Sequence, residues 1–304
     1  MKQKSTIHHF RSIAELLRAL HLPPSLHPLI ALVDYNNVST EQLPTGQKIT
    51  LDFYKVSFKP RFSGRSGYGQ GHYDFAEGGL AFLKPGQIVF SPEDPDSYEG
   101  FALYFHPDFI RNYALGNLIS KYGFFSYDVS EALHLSAKEK KVIIHLFNLI
   151  GEELDNNIDG FSQDVLISHL ELLLNYSNRF YSRQFITRKA VNNDIVTTLD
   201  KILDQYFEDA DALKNGLPSV KYISEQLNIS QRYLSDLLRT VTGLNTQQYL
   251  QNIILEKAKG KLSATNLSVS EIAYSLGFEH PQSFSKFFKS KTELSPLDFR
   301  HSFN

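Results

Sequence analysis

Eight polar side chains in two short stretches are the part of this 304-residue chain best suited to chemistry. Gln231, Arg232, Ser235, Asp236 and Arg239 form the first group, and Gln282, Lys286 and Lys289 form the second. Their types match the exposed edges of a duplex. A guanidinium fork suits guanine O6 and N7, a glutamine amide suits adenine, and Lys or Arg neutralises phosphate. In both groups the spacing keeps to one side of a helix while apolar residues occupy the other. No Ser/His/Asp order or paired-carboxylate pattern stands out, and 64–71 lacks the Lys-Ser/Thr pair and following helix that a phosphate loop needs. The chemistry expected is recognition, with no enzyme activity and no cofactor.

Two helix-turn-helix patterns, over 220–239 and 269–289, would hold these groups. In the first, Val220, Ile223, Leu227, Ile229, Leu234, Leu237 and Leu238 recur at three- and four-residue spacings, broken by a turn at Asn228 before a helix capped by Ser230. In the second, Val269, Ile272, Ala273 and Leu276 line one helix, Gly277 permits a positive φ, and Phe278, Phe284, Phe287 and Phe288 anchor the next. Ser224 and Ala273 supply a small side chain where the second helix must cross the first. Helical hairpins with solvated faces occur in many bundles. Here the turn and the polar face occur twice in one compact region, and this favours DNA binding.

The run Ser230, Tyr233-Leu234-Ser235, Thr242-Gly243, Tyr249-Leu250, Ala258, Leu262, 269–273, Leu276-Gly277-Phe278, Phe284-Ser285, 287–289, Ser295-Pro296 and Phe299-Arg300 resembles the AraC/XylS-type transcription regulators. The resemblance covers 192–303 once an opening helix over 194–207 is included. It implies two recognition helices entering successive major-groove segments of double-stranded DNA, about 34 Å apart. Two positions depart from the family pattern. The linker helix, 246–262, reads Gln251-Asn252-Ile253-Ile254-Leu255-Glu256 where an Arg is usual, and Glu293-Leu294 precedes Ser295-Pro296 where a Gly is usual.

Bulk charge contributes little to this reading. The net charge is -2, and Lys and Arg nearly balance Asp and Glu over 190–304. Position matters more: Lys257, Lys259 and Lys261 cluster on the linker helix, Lys286, Lys289 and Lys291 on the second recognition helix, and the acids Glu208, Asp209 and Asp211 lie elsewhere. With 42% hydrophobic and 21% charged residues, the composition is that of a soluble globular protein of two domains. The absence of cysteine excludes disulfides, thiolate metal sites and a cysteine nucleophile. Basic residues near Met1 are not followed by an apolar run, and the stretch 142–150 is too short to span a bilayer, so no signal peptide, no membrane segment and a cytoplasmic location are expected.

The first half reads as β structure: strands over 29–33, 49–58, 79–83, 87–90 and 100–105 after a short helix at 13–20. Lys84-Pro85-Gly86-Gln87 suits a type II turn, and 91–96 suits a loop. Two helices follow, one capped by Ser136 and one by Ser162, forming an antiparallel pair joined at 156–160. The fold class is therefore α+β. An antiparallel barrel over 25–110 with a helix pair over 136–182 makes a domain of 1–182, 183–191 is a basic linker with Arg183, Arg188 and Lys189, and 192–304 is an all-α domain of two helix-turn-helix units.

Many regulators of the AraC type carry a cupin-like barrel that binds a small effector, and the layout here is similar. That resemblance implies a sensor and dimerisation domain in which Tyr54, Tyr73 or Tyr104 lines an effector pocket. The helices over 136–182 would serve as a homodimer interface or pack on the barrel. The function expected is an effector-controlled activator that contacts DNA and RNA polymerase. A metal-dependent cupin-type enzyme with an appended DNA-binding module is the alternative. It needs His72, Asp74 and Glu77 to form a site, although Asp74 stands where a second histidine belongs. A scaffold whose helix-turn-helix units have lost DNA affinity is a third reading.

Overall fold

The computed structural model describes residues 7–38, 47–60, 78–90, 100–187, 189–208 and 211–302. The chain divides into two compact units, 1–184 and 185–304.

The first unit opens with β1 (Ile7–Phe10), α1 (Ile13–Ala19), β2 (Ile30–Asp34), β3 (Lys48–Leu51), β4 (Tyr54–Lys59), β5 (Gly79–Leu83), β6 (Ile88–Phe90) and β7 (Phe101–Phe105). Short helices α2 (Pro107–Ile110) and α3 (Ala114–Leu118), strand β8 (Leu133–His134) and the long helices α4 (Ala137–Asp155) and α5 (Ser162–Thr187) follow. The strands form two sheets, in the orders β1-β3-β6 and β2-β7-β4-β5-β8. Pairing is antiparallel except between β1 and β3.

The single strand expected over 49–58 is two strands in different sheets. It breaks at Asp52, whose backbone N–H donates to the Phe10 carbonyl and whose carboxylate meets His9 Nε2 at 2.7 Å, while Phe53 turns fully into the core. Around it pack Ile13, Leu16, Leu17, Val33, Leu51 and Tyr104. The turn at Gly86 forms as expected, with φ 77 and Gln87 N–H donating to the Lys84 carbonyl.

The opposite face of the larger sheet is covered by helices. Phe147 of α4 lies against Phe58 and Phe101, and Tyr181 of α5 stacks on Phe124 and tilts against Phe82. The apolar faces of both helices thus pack on the sheet. Ser136 caps α4 in a capping box with Glu139. Ser162 is the first residue of α5, not its cap; the Asp159 carboxylate accepts from Phe161 N–H and Ser162 N–H, and these bonds lower its pKa. Where a linker was expected, α5 runs to Thr187 and a new helix begins at Lys189. Arg183 is not free for phosphate, because it bonds the Glu139 carboxylate and the His134 carbonyl at 2.7 Å. Gln184 is buried against the backbone of Ala132 and His134.

The second unit is helical: α6 (Lys189–Glu208), α7 (Asp211–Asn215), α8 (Val220–Leu227), α9 (Gln231–Thr242), α10 (Thr246–Ala264), α11 (Val269–Ser275), α12 (Pro281–Thr292) and α13 (Pro296–His301). Tyr206, Ile254, Ala258, Leu262, Ile272, Phe284 and Phe288 share one core. No helix among the described residues is long and apolar enough to cross a membrane.

Candidate nucleic-acid interface

The first pair, α8 and α9, is set by local chemistry. Ser219 caps α8 by accepting from Tyr222 N–H. Asn228 ends it in the left-handed region at φ 53, and Ser230 caps α9 by accepting from Tyr233 N–H. Each such cap is worth about 1 kcal/mol. Leu234, Leu237 and Leu238 are fully buried, and Ser224 is buried where α8 and α9 meet. With one side of α9 fixed in the core, Gln231, Arg232 and Arg239 point to solvent, while Ser235 and Asp236 are half-buried.

The second pair repeats the plan. Ser268 and Glu271 form a capping box at α11, and the side-chain and backbone bonds to Ser268 hold the Glu271 carboxyl below its ordinary range. Gly277 takes φ 87, and a Cβ there would sit 2.6 Å from the Gly216 backbone, so the turn needs glycine for conformation and for space. Pro281 opens α12, and the rings of Phe284 and Phe288 are fully buried. Gln282, Lys286 and Lys289 are exposed on the opposite side. In corresponding positions of the two helices, Arg232 matches Gln282, Asp236 matches Lys286 and Arg239 matches Lys289.

Both recognition helices end alike, but with different residues. Gly243 closes α9 at φ 78, and Glu293 closes α12 at φ 64. Leu244 and Leu294 follow, then Asn245 and Ser295 cap the next helices. The glycine missing from the family pattern is thus a glutamate in a backbone conformation that favours glycine. The missing linker Arg has a simpler outcome, because Ile254 and Leu255 lie buried in the apolar core.

Two side chains have partners that the sequence reading did not assign. Arg232 Nε donates to Asp236 Oδ2 at 3.0 Å, one turn along α9. Asp236 therefore orients Arg232, although it had been expected to face DNA for itself. The i, i+4 spacing carried that signal. Lys257 pairs with Asp204 at 2.7 Å and lies over the Phe207 ring, while Lys259 pairs with Glu256 at 2.8 Å. These two linker-helix lysines are engaged within the unit. Lys286, Lys289 and Arg239 form no ion pair among the described residues. Tyr249 donates to Asp200, and burial first, then that carboxylate, raises its pKa.

In the first unit, His72, Asp74, Glu77 and Tyr73 lie outside the described residues. His106, the other histidine near the barrel, caps α2 by accepting from Asp108 N–H. Tyr104 is buried with its hydroxyl 2.6 Å from that of Tyr35. Tyr54 stacks on Phe105 and lines a shallow depression with Ile110, Arg111 and Asn117 on the helical side of the sheet.

Family comparisons match both halves of the chain. A helix-turn-helix domain matches 223–302, and an AraC-like ligand binding domain matches 63–159. The HTH-type transcriptional activator RhaS of Klebsiella pneumoniae is 30% identical over 158 residues, 52% of this chain and 52% of its own length. The uncharacterized HTH-type transcriptional regulator YisR of Bacillus subtilis is 35% identical over 82 residues, 27% of this chain and 29% of its own length. The chain thus spans about half or less of the length of these curated relatives. Among solved structures, the C-terminal domain of the two-component response regulator yesN from Fusobacterium nucleatum is 29% identical, with 35% of this chain and 98% of that chain covered at a TM-score of 0.31.

Proposed function

The chain belongs to the AraC/XylS-type transcription regulators, and from that premise we propose that it binds double-stranded DNA sequence-specifically under the control of a small-molecule effector. The observation that carries this reading is the pair of helices, α9 and α12, each fixed by an apolar face and presenting hydrogen-bonding and basic side chains at corresponding outward positions. Arg232 reads a guanine with the fork that remains free beyond its Nε bond to Asp236, and Gln282 reads an adenine. Gln231, Ser235 and Lys286 adjust the fit. Arg239 and Lys289 neutralise phosphates and set affinity without choosing sequence.

Residues 1–182 sense the effector, 192–304 bind DNA, and an effector that favours one state shifts the population competent for binding. The role is that of a cytoplasmic regulator, not an enzyme. Activation through RNA polymerase is favoured because the RhaS relatives are named transcriptional activators. A homodimer through the helices of 136–182 is supported by Val165 and Leu172, which stay exposed on the outer face of α5. The test is selection from a random duplex pool at low and at raised salt. One enriched motif, with affinity falling steeply as salt rises, supports the reading; no enrichment at any salt refutes it.

A further inference from the structure

The larger sheet carries a charge where a strand interior seldom has one. β4 lies between β7 and β5, so both of its edges are paired. Val56 and Phe58 face the helices, and alternation turns Lys55 and Ser57 to the opposite side. There Lys55 stands across from Tyr104 and Leu83, and Ser57 across from Ala102 and Ala81. Tyr104 belongs to the core that also takes in Leu51 of β3. Lys55 therefore points from a central strand toward the space between the two sheets.

An ammonium in that setting calls for a counter-charge. Its Nζ lies 5.7 Å from the ring centroids of both Tyr35 and Tyr104. Ring faces attract a cation but do not neutralise it, and Lys55 takes part in none of the ion pairs among the described residues. The face is sealed on the β7 side, where Ala102 and Tyr104 are buried, whereas Lys55 and Ala81 keep partial exposure. The small side chains at Ser57 and Ala81 leave room beside the ammonium.

From this arrangement we infer that the inner face of β4 binds a small organic monocarboxylate, with its oxygens on Lys55 Nζ and its body over Ser57 and Ala81. One ammonium balances one negative charge, which favours a carboxylate over a phosphate monoester carrying nearly two. This rests on the effector control proposed above and gives the effector its chemical class.

The experiment is isothermal titration calorimetry on the full chain with benzoate and hexanoate, and with their neutral isosteres benzamide and hexanamide, repeated on Lys55→Met and Lys55→Arg. A carboxylate binds and its amide does not; Lys55→Met weakens that binding about 10- to 100-fold, and Lys55→Arg keeps most of it. An unchanged circular dichroism spectrum shows that the variants fold. Equal binding by Lys55→Met, equal binding of the amides, or no binding of either carboxylate overturns the inference. Motif selection from duplex DNA on the same preparation reports separately on DNA recognition, so a chain that selects a motif but ignores both acids refutes this inference alone.

Discussion

Replacing Glu293 by glycine should stabilise the helical unit. Glu293 holds φ 64 at the end of α12, a conformation that costs an L-residue about 1–2 kcal/mol. Its side chain is exposed and takes part in no ion pair among the described residues, so truncation forfeits no such contact. Glycine gives back about 0.5–1 kcal/mol through the greater freedom of the unfolded chain. Removing a negative charge from the C-terminal end of a helix acts in the same favourable direction as the strain relief. The net expectation is about 1 kcal/mol, or roughly 3–5 °C in the melting transition of a unit this size. Thermal unfolding followed by circular dichroism on the full chain measures it, with Glu293→Gln as the control that removes the charge and keeps the strain. Glu293→Gln should recover the smaller part of the gain. No gain from Glu293→Gly, or equal gains from both variants, would refute the strain argument. Gly243→Ala, which imposes at α9 the strain that Glu293 bears at α12, should destabilise by about 1 kcal/mol or more.

Thr246 buries a hydroxyl with no hydrogen-bond partner at the first turn of α10, so Thr246→Val should be neutral or stabilising by up to about 1 kcal/mol in urea unfolding; a clear loss would mean the hydroxyl is satisfied. The depressed pKa of Glu271 stabilises the fold above the ordinary glutamate range, and that contribution disappears as pH falls through the folded-state value. Glu271→Gln should therefore flatten the acid side of the stability profile, and an unchanged profile would count against the capping box. Arg239→Ala and Lys289→Ala should each weaken binding to every duplex alike and reduce the salt slope by about 1; a base-specific change in either would reassign that residue to readout.

The two helix-turn-helix units were legible because their signals are local. Leu234, Leu237 and Leu238 mark a face within two turns, Ser219, Ser230, Ser268 and Ser295 are caps beside the helices they start, and Gly277 sits at the turn that needs it. What was missed depends on distant partners. The strand over 49–58 contains no turn dipeptide, and its break depends on Phe10 and His9, far away in sequence. The strand at Ile7–Phe10 forms by parallel pairing with Lys48–Leu51, which no short window shows. Arg183 reads as a linker charge until α4 supplies Glu139, and Lys257 reads as a phosphate contact until α6 supplies Asp204. Asp159 displaced Ser162 as the cap of α5 because its carboxylate reaches two N–H groups. The Arg232–Asp236 pair is the exception, since it was readable from spacing alone.

The most direct test of two-helix readout is position-resolved. Binding sites would be selected from random duplex DNA with the wild-type chain, Arg232→Ala, Asp236→Ala and Gln282→Ala. Arg232→Ala should erase preference at one base position and Gln282→Ala at another, roughly one helical turn away. Asp236→Ala should blur the Arg232 position and leave the Gln282 position intact. Loss at one shared position, or motifs unchanged in Arg232→Ala and Gln282→Ala, would contradict the account.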